Sequence, residues 1–100
     1  MNSLQEKYPF VMEKYYEVIH SIDAEIGKCF DVQTREILLV AIGAAIGNEN
    51  VVRFHAKRAM DNGASDAQLS CAALMPLPIV GQTNCRKSLD IIREVAESGD

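Results

Sequence analysis

Two residues of this chain combine a titratable group with apolar surroundings, and together they suit proton transfer. Glu36 is a lone carboxylate at the head of a strongly apolar run, with no further polar residue until Asn48. His55 falls within the apolar stripe of the next helical segment, one turn after Val51 and one turn before Ala59. Burial raises the pKa of a carboxyl and lowers that of an imidazole unless each stabilises the other's charge. A Glu–His pair of this kind holds a proton near neutral pH, as general acid–base catalysis requires. The residues alone admit a second account. A first-turn carboxylate such as Glu36 interacts favourably with the helix dipole, and His55 can be a satisfied core histidine. No metal site and no cofactor are expected.

The elements that must position the pair follow from periodicity. Leu4, Tyr8, Val11, Met12, Tyr15, Ile19, Ile22 and Ile26 recur at three- and four-residue steps, the stripe of an amphipathic helix. Pro9 suits a first turn, and Gly27 stands where that helix should stop. A second helix opens after Asp31 as N-cap and runs through VQTREILLVAIGAAIG, apolar on every side beyond Glu36. Such a helix is expected to be buried all round. Gly43 and Gly47 lie one turn apart in it, and each weakens a helix by about 0.5–1 kcal/mol, so another backbone should approach closely there. A third helix covers about 49–62, capped by Asn48, with Glu49, Arg53 and Lys57 stepping by four along its wet face. Ser65 and Gln68 form a capping box for a short fourth helix, which Pro76 and Pro78 break. A fifth turns Cys85, Leu89, Ile92, Val95 and Ala96 inward and ends near Ser98. Successive helices joined by a short turn pack antiparallel, which would bring Glu36 and His55 to one shared, largely apolar pocket. Nothing alternates with a period of two.

Composition bounds the rest. The 100 residues are expected to form a single domain, 1–100. A chain this short buries only roughly 60–70% of its unfolded surface, yet 48% of it is hydrophobic, so part of that surface should bury against other subunits. The net charge of −4 comes from interleaved charges with no Lys/Arg block, which argues against nucleic acid as a partner. The N-terminus has no apolar stretch resembling an export signal. The longest apolar run is well short of the ~20 residues that span a bilayer, so a membrane is not an expected partner. Cys29, Cys71 and Cys85 form no CxxC pair. They read as reduced thiols of a cytoplasmic protein, each packing as a small hydrophobe.

The stretch TREILLVAIGAAIGNENVVRFHAKRAMDNGASDAQL, 34–69, resembles the core segment of the carboxymuconolactone decarboxylase family, which includes the AhpD-like alkylhydroperoxidases. The matching positions are Thr34, Arg35, Glu36, Ala44, His55, Ala59, Gly63, Ala64 and Ser65. The resemblance implies an all-α, AhpD-like domain of about five to six helices that assembles as a homotrimer or homohexamer. The thiol-active branch reads E-x11-C-x-x-C-x-x-x-H, and here Asn48 and Val51 occupy the two cysteine positions. The decarboxylase branch, which lacks the pair, is closer: Asn50 to His55 followed by Asp61-Asn62-Gly63 matches its version. The passage PLPIVGQTNC, 76–85, departs from that branch.

By this resemblance the protein is a cofactor-free lyase or isomerase acting on a small carboxylated lactone or related organic acid. His55 would donate or shuttle the proton and Glu36 would orient it. Arg35 or Arg53 would hold a substrate carboxylate, because guanidinium binds one bidentately. Two alternatives stand beside it. One is an alkylhydroperoxidase relative, peroxiredoxin-type in its chemistry, that has lost its CxxC; the other is a non-catalytic oligomeric protein binding a small ligand.

Overall fold

The computed structural model describes residues 3–98, and every regular element among them is helical. The helices are α1 (Ser3–Lys7), α2 (Pro9–Ile26), α3 (Val32–Ile46), α4 (Glu49–Asp61), α5 (Asp66–Leu74), α6 (Leu77–Val80) and α7 (Gln82–Ser98). Five exceed two turns, and α1 and α6 are short pieces. The fold class is therefore all-α, as expected. The chain divides into two compact units, Met1–Phe30 and Asp31–Asp100.

In the first unit the apolar stripe starting at Leu4 is not one helix. Tyr8 sits at φ −133°, ψ 61°, outside the helical region, and Pro9 opens α2. Proline disfavours helical geometry in the residue before it, so Leu4 falls in the separate α1. Met12 is the buried residue of α2, while Val11, Tyr15 and Ile22 are each at least half exposed.

The second unit is built on the α3–α4 hairpin. Asp31 caps α3 by accepting a 2.7 Å hydrogen bond from the Thr34 amide, and the bonds from Thr34 hold its carboxyl below the ordinary value. The cap fixes where α3 begins and hence which way Glu36 faces. Gly47 ends the helix in the left-handed conformation at φ 72°, and Asn48 caps α4 by accepting from the Val51 amide at 3.1 Å. The register shows two antiparallel helices: Gly43 lies against Val51 and Val52, while Glu36, nearer the start of α3, reaches His55 and Arg58. Gln33 closes the open end by donating to the Asn62 carbonyl at 2.9 Å.

The two glycines of α3 serve different ends. A Cβ on Gly43 would stand 2.8 Å from Val51 Cγ1 and 3.2 Å from the Val52 amide nitrogen, so α4 does approach closely there. Gly47 instead supplies the left-handed cap and leaves room for the Asn84 side chain of α7. The core between α3, α4, α5 and α7 holds Val40, Val52, Leu69 and Ile92 around Ala44, Ala56, Ala59 and Ala73. Alanine at so many contacts permits short interaxial distances.

Within one chain, Leu38, Ile42 and Ile46 form an exposed stripe on α3, opposite the buried Glu36, Val40, Gly43 and Ala44. Two expectations need correction. The Glu49–Arg53–Lys57 steps are not the pairs that form; Arg53 turns to Glu94 of α7, and Lys57 pairs with Asp61 one turn on. Of the cysteines only Cys85 packs in the interior, whereas Cys29 and Cys71 are exposed. Among the described residues no helix is long and apolar enough to cross a membrane.

Candidate functional site

The cap at Asp31 and the hairpin register bring Glu36 of α3 against the middle of α4. Its side chain is 1% exposed, yet three donor groups reach its carboxyl. Oε1 lies 2.8 Å from His55 Nδ1 and 3.1 Å from Arg58 Nε, and Oε2 accepts from Arg35 Nε at 3.3 Å. Two guanidinium groups, always charged, and one imidazole thus surround the buried carboxyl. No buried side-chain polar atom among the described residues lacks a hydrogen-bond partner.

With Glu36 as a carboxylate, which only accepts hydrogen bonds, the 2.8 Å contact places the proton on Nδ1. That fixes the tautomer of the neutral ring and leaves Nε2 as its basic nitrogen. Protonation at Nε2 makes an imidazolium whose charge Glu36 stabilises. Nε2 has no protein hydrogen-bond partner among the described residues. The His55 side chain is 21% exposed, and the Phe54 ring stands edge-on to it at 5.0 Å between centroids. A carboxylate orienting an imidazole through Nδ1 while Nε2 handles a proton is a recurrent acid–base arrangement.

The structure thus joins Glu36 and His55, as expected, and sets Arg35 beside them. Arg53 is elsewhere: its Nη2 pairs with Glu94 Oε2 at 2.8 Å. Reasoning from sequence missed Arg58. Its only available signal was its position one turn after His55, which puts both residues on the α4 face turned to Glu36.

A cleft of about 490 Å³ opens between α4 and α7, with Arg53, Phe54, Lys57 and Arg58 on one wall and Glu94 and Val95 on the other. Glu36 and His55 are not among its lining residues. Arg58 connects the two, with its guanidinium 5.6 Å from the Phe54 ring centroid in the cleft and its Nε on Glu36.

Asn48 and Val51 are joined by the hydrogen bond that caps α4. Among the described residues no group of three or more His, Cys, Asp or Glu side chains is placed to hold a metal ion.

No curated protein and no solved structure matches the chain significantly. The family model described as the carboxymuconolactone decarboxylase family matches residues 11–94, most of the chain and the whole α3–α4 hairpin that carries Glu36 and His55. With its helical fold and the polar centre of that hairpin in view, this chain belongs to the carboxymuconolactone decarboxylase family.

Proposed function

We propose that the protein is a cofactor-free acid–base lyase or isomerase acting on a small carboxylated lactone or related organic acid. In this reading it is a single domain that works in the cytoplasm as a homotrimer or homohexamer. The observation that carries the reading is the 2.8 Å contact between buried Glu36 and His55 Nδ1, braced by Arg35 and Arg58. Stability alone is a weak reason for such a cluster, because a buried ion pair can often be replaced by apolar residues at no loss. A protonation site needs this geometry.

In the decarboxylating version, the bond between the ring carbon and its carboxylate breaks and carbon dioxide leaves. The electron pair stays on carbon, delocalised toward the lactone carbonyl. The His55 imidazolium then delivers its Nε2 proton to that carbon, and solvent restores the proton to the ring. Isomerisation uses the same two states in reverse order: neutral Nε2 removes a proton and the imidazolium returns it at another carbon. Glu36 keeps its charge throughout and stabilises the imidazolium. Arg53, at the cleft, and Arg35, beside Glu36, are the candidate contacts for a substrate carboxylate.

Thiol peroxidase activity is disfavoured by the chemistry it needs, a reactive thiolate with a resolving partner. The helix cap at Asn48 and Val51 occupies the motif positions for both.

The test is turnover of carboxylated lactones, followed by carbon dioxide release, in the wild type and in His55→Gln. Glutamine keeps much of the size and polarity but carries no proton at neutral pH. Loss of turnover by about 10²-fold or more, with the helical circular dichroism and the assembled mass unchanged, is expected. A variant that melts early yet turns over normally would reduce His55 to a structural hydrogen-bonding residue.

A further inference from the structure

The three cations of the α4–α7 cleft differ in what they face. Arg53 has Glu94 and Lys57 has Asp61, each pair lying within the cleft itself. Arg58 is the exception, because its carboxylate partner, Glu36, is buried behind it and is shared with His55 and Arg35. That contact is made through Nε, at 3.1 Å. Neither Nη group of Arg58 has a hydrogen-bond acceptor among the described residues, although the side chain is only 45% exposed. Phe54 and Val95 supply apolar surface beside it. A volume of about 490 Å³ lies within the roughly 300–1,000 Å³ usual for small-molecule sites, which combine apolar walls with a few convergent polar groups.

We propose that this cleft binds a small organic carboxylate with a flat apolar body, its carboxylate taken by the Nη edge of Arg58 and its body laid against Phe54. One guanidinium then serves two anions: Nε stays on Glu36 while the two Nη groups hold the ligand. The fork geometry of arginine suits this and a lysine ammonium does not. The arrangement fixes the ligand relative to the Glu36–His55 pair through a single rigid group, so Arg58 is a binding residue that also positions the pair. The inference deepens the acid–base reading, and it rests on that reading only for the claim that the bound ligand is the reacting one.

Benzoate is the probe, titrated into the full-length ¹⁵N-labelled protein and followed by amide shifts, with benzamide as the uncharged flat control. Benzoate should give saturable shifts centred on Phe54, Arg58 and Val95, and benzamide should bind about tenfold more weakly. Losing a bidentate charge-assisted contact costs enough that Arg58→Gln should weaken benzoate by about tenfold or more, with Arg58→Lys intermediate. Phe54→Ala, a change at an exposed side chain that leaves the Glu36 contacts alone, should weaken it several-fold. His55→Gln should bind benzoate within about twofold of the wild type. Loss of turnover in that variant with binding retained supports both readings; retained turnover with benzoate still in the cleft would sink the acid–base reading alone. The cleft proposal is overturned if benzoate produces no saturable shifts there, if benzamide binds equally well, or if Arg58→Gln and Phe54→Ala bind benzoate as the wild type does.

Discussion

At the scale of single residues, the site turns on which groups share Glu36. Its carboxyl is 1% exposed, and two guanidinium groups and the His55 imidazole surround it. As a carboxylate it accepts from each, which places the His55 proton on Nδ1. Glu36 and His55 were legible in the sequence because each is an isolated polar residue in an apolar stripe and each matches a family motif. Arg58 was not, since arginine on an amphipathic helix is usually solvated and nothing in HAKRAMDNG separates it from Lys57. What separates them is the partner each reaches: Lys57 finds Asp61 on its own helix, while Arg58 finds a carboxylate on α3. Arg53 shows the converse. Its helical spacing suggested an ion pair along α4, and the family resemblance a substrate contact; the packing of α7 brought Glu94 to it.

At the scale of elements, the caps carried most of the information. Asp31, Asn48, Gly63 and the Ser65–Gln68 box all stand where the chain turns, because each satisfies a helix end through its own local chemistry. Burial was harder to read. An apolar helix signals that its faces avoid water, yet only tertiary packing decides which face a neighbour covers, and in α3 the Leu38–Ile42–Ile46 face stays open. Gly43 gives this scale its test. Alanine there would gain about 0.5–1 kcal/mol of helix propensity. Overpacking costs about 1–3 kcal/mol, and it should win because the Val52 amide, being backbone, cannot rotate away from the new methyl. Gly43→Ala is therefore expected to lower stability by about 1 kcal/mol in urea unfolding at matched protein concentration. A gain in stability would mean that α4 has room to move off α3.

At the scale of the whole molecule, exposed apolar side chains are numerous for so small a chain. They include Phe10, Val11, Ile42, Ile46, Phe54, Met75 and Ile79, each more than half exposed. Soluble monomers seldom leave large contiguous apolar patches open. The 48% hydrophobic content anticipated this surplus, but composition carries no geometry and could not say where it would lie. Self-association is the expected outcome, and light scattering at micromolar concentration should give three or six times the 11.0 kDa chain mass. A mass of one chain would contradict it. The central claim, that Glu36 sets His55 for proton transfer at Nε2, can be tested without knowing the substrate. The chain has two histidines, and His20 is exposed on α2, so it reports an unconstrained ring in the same sample. A two-bond ¹H–¹⁵N correlation spectrum of the imidazoles, taken where both rings are neutral, reads the tautomer of each directly. The Glu36 contact predicts the Nδ1–H form for His55, with Nε2 unprotonated; an Nε2–H ring, or the same mixture as His20, would contradict it.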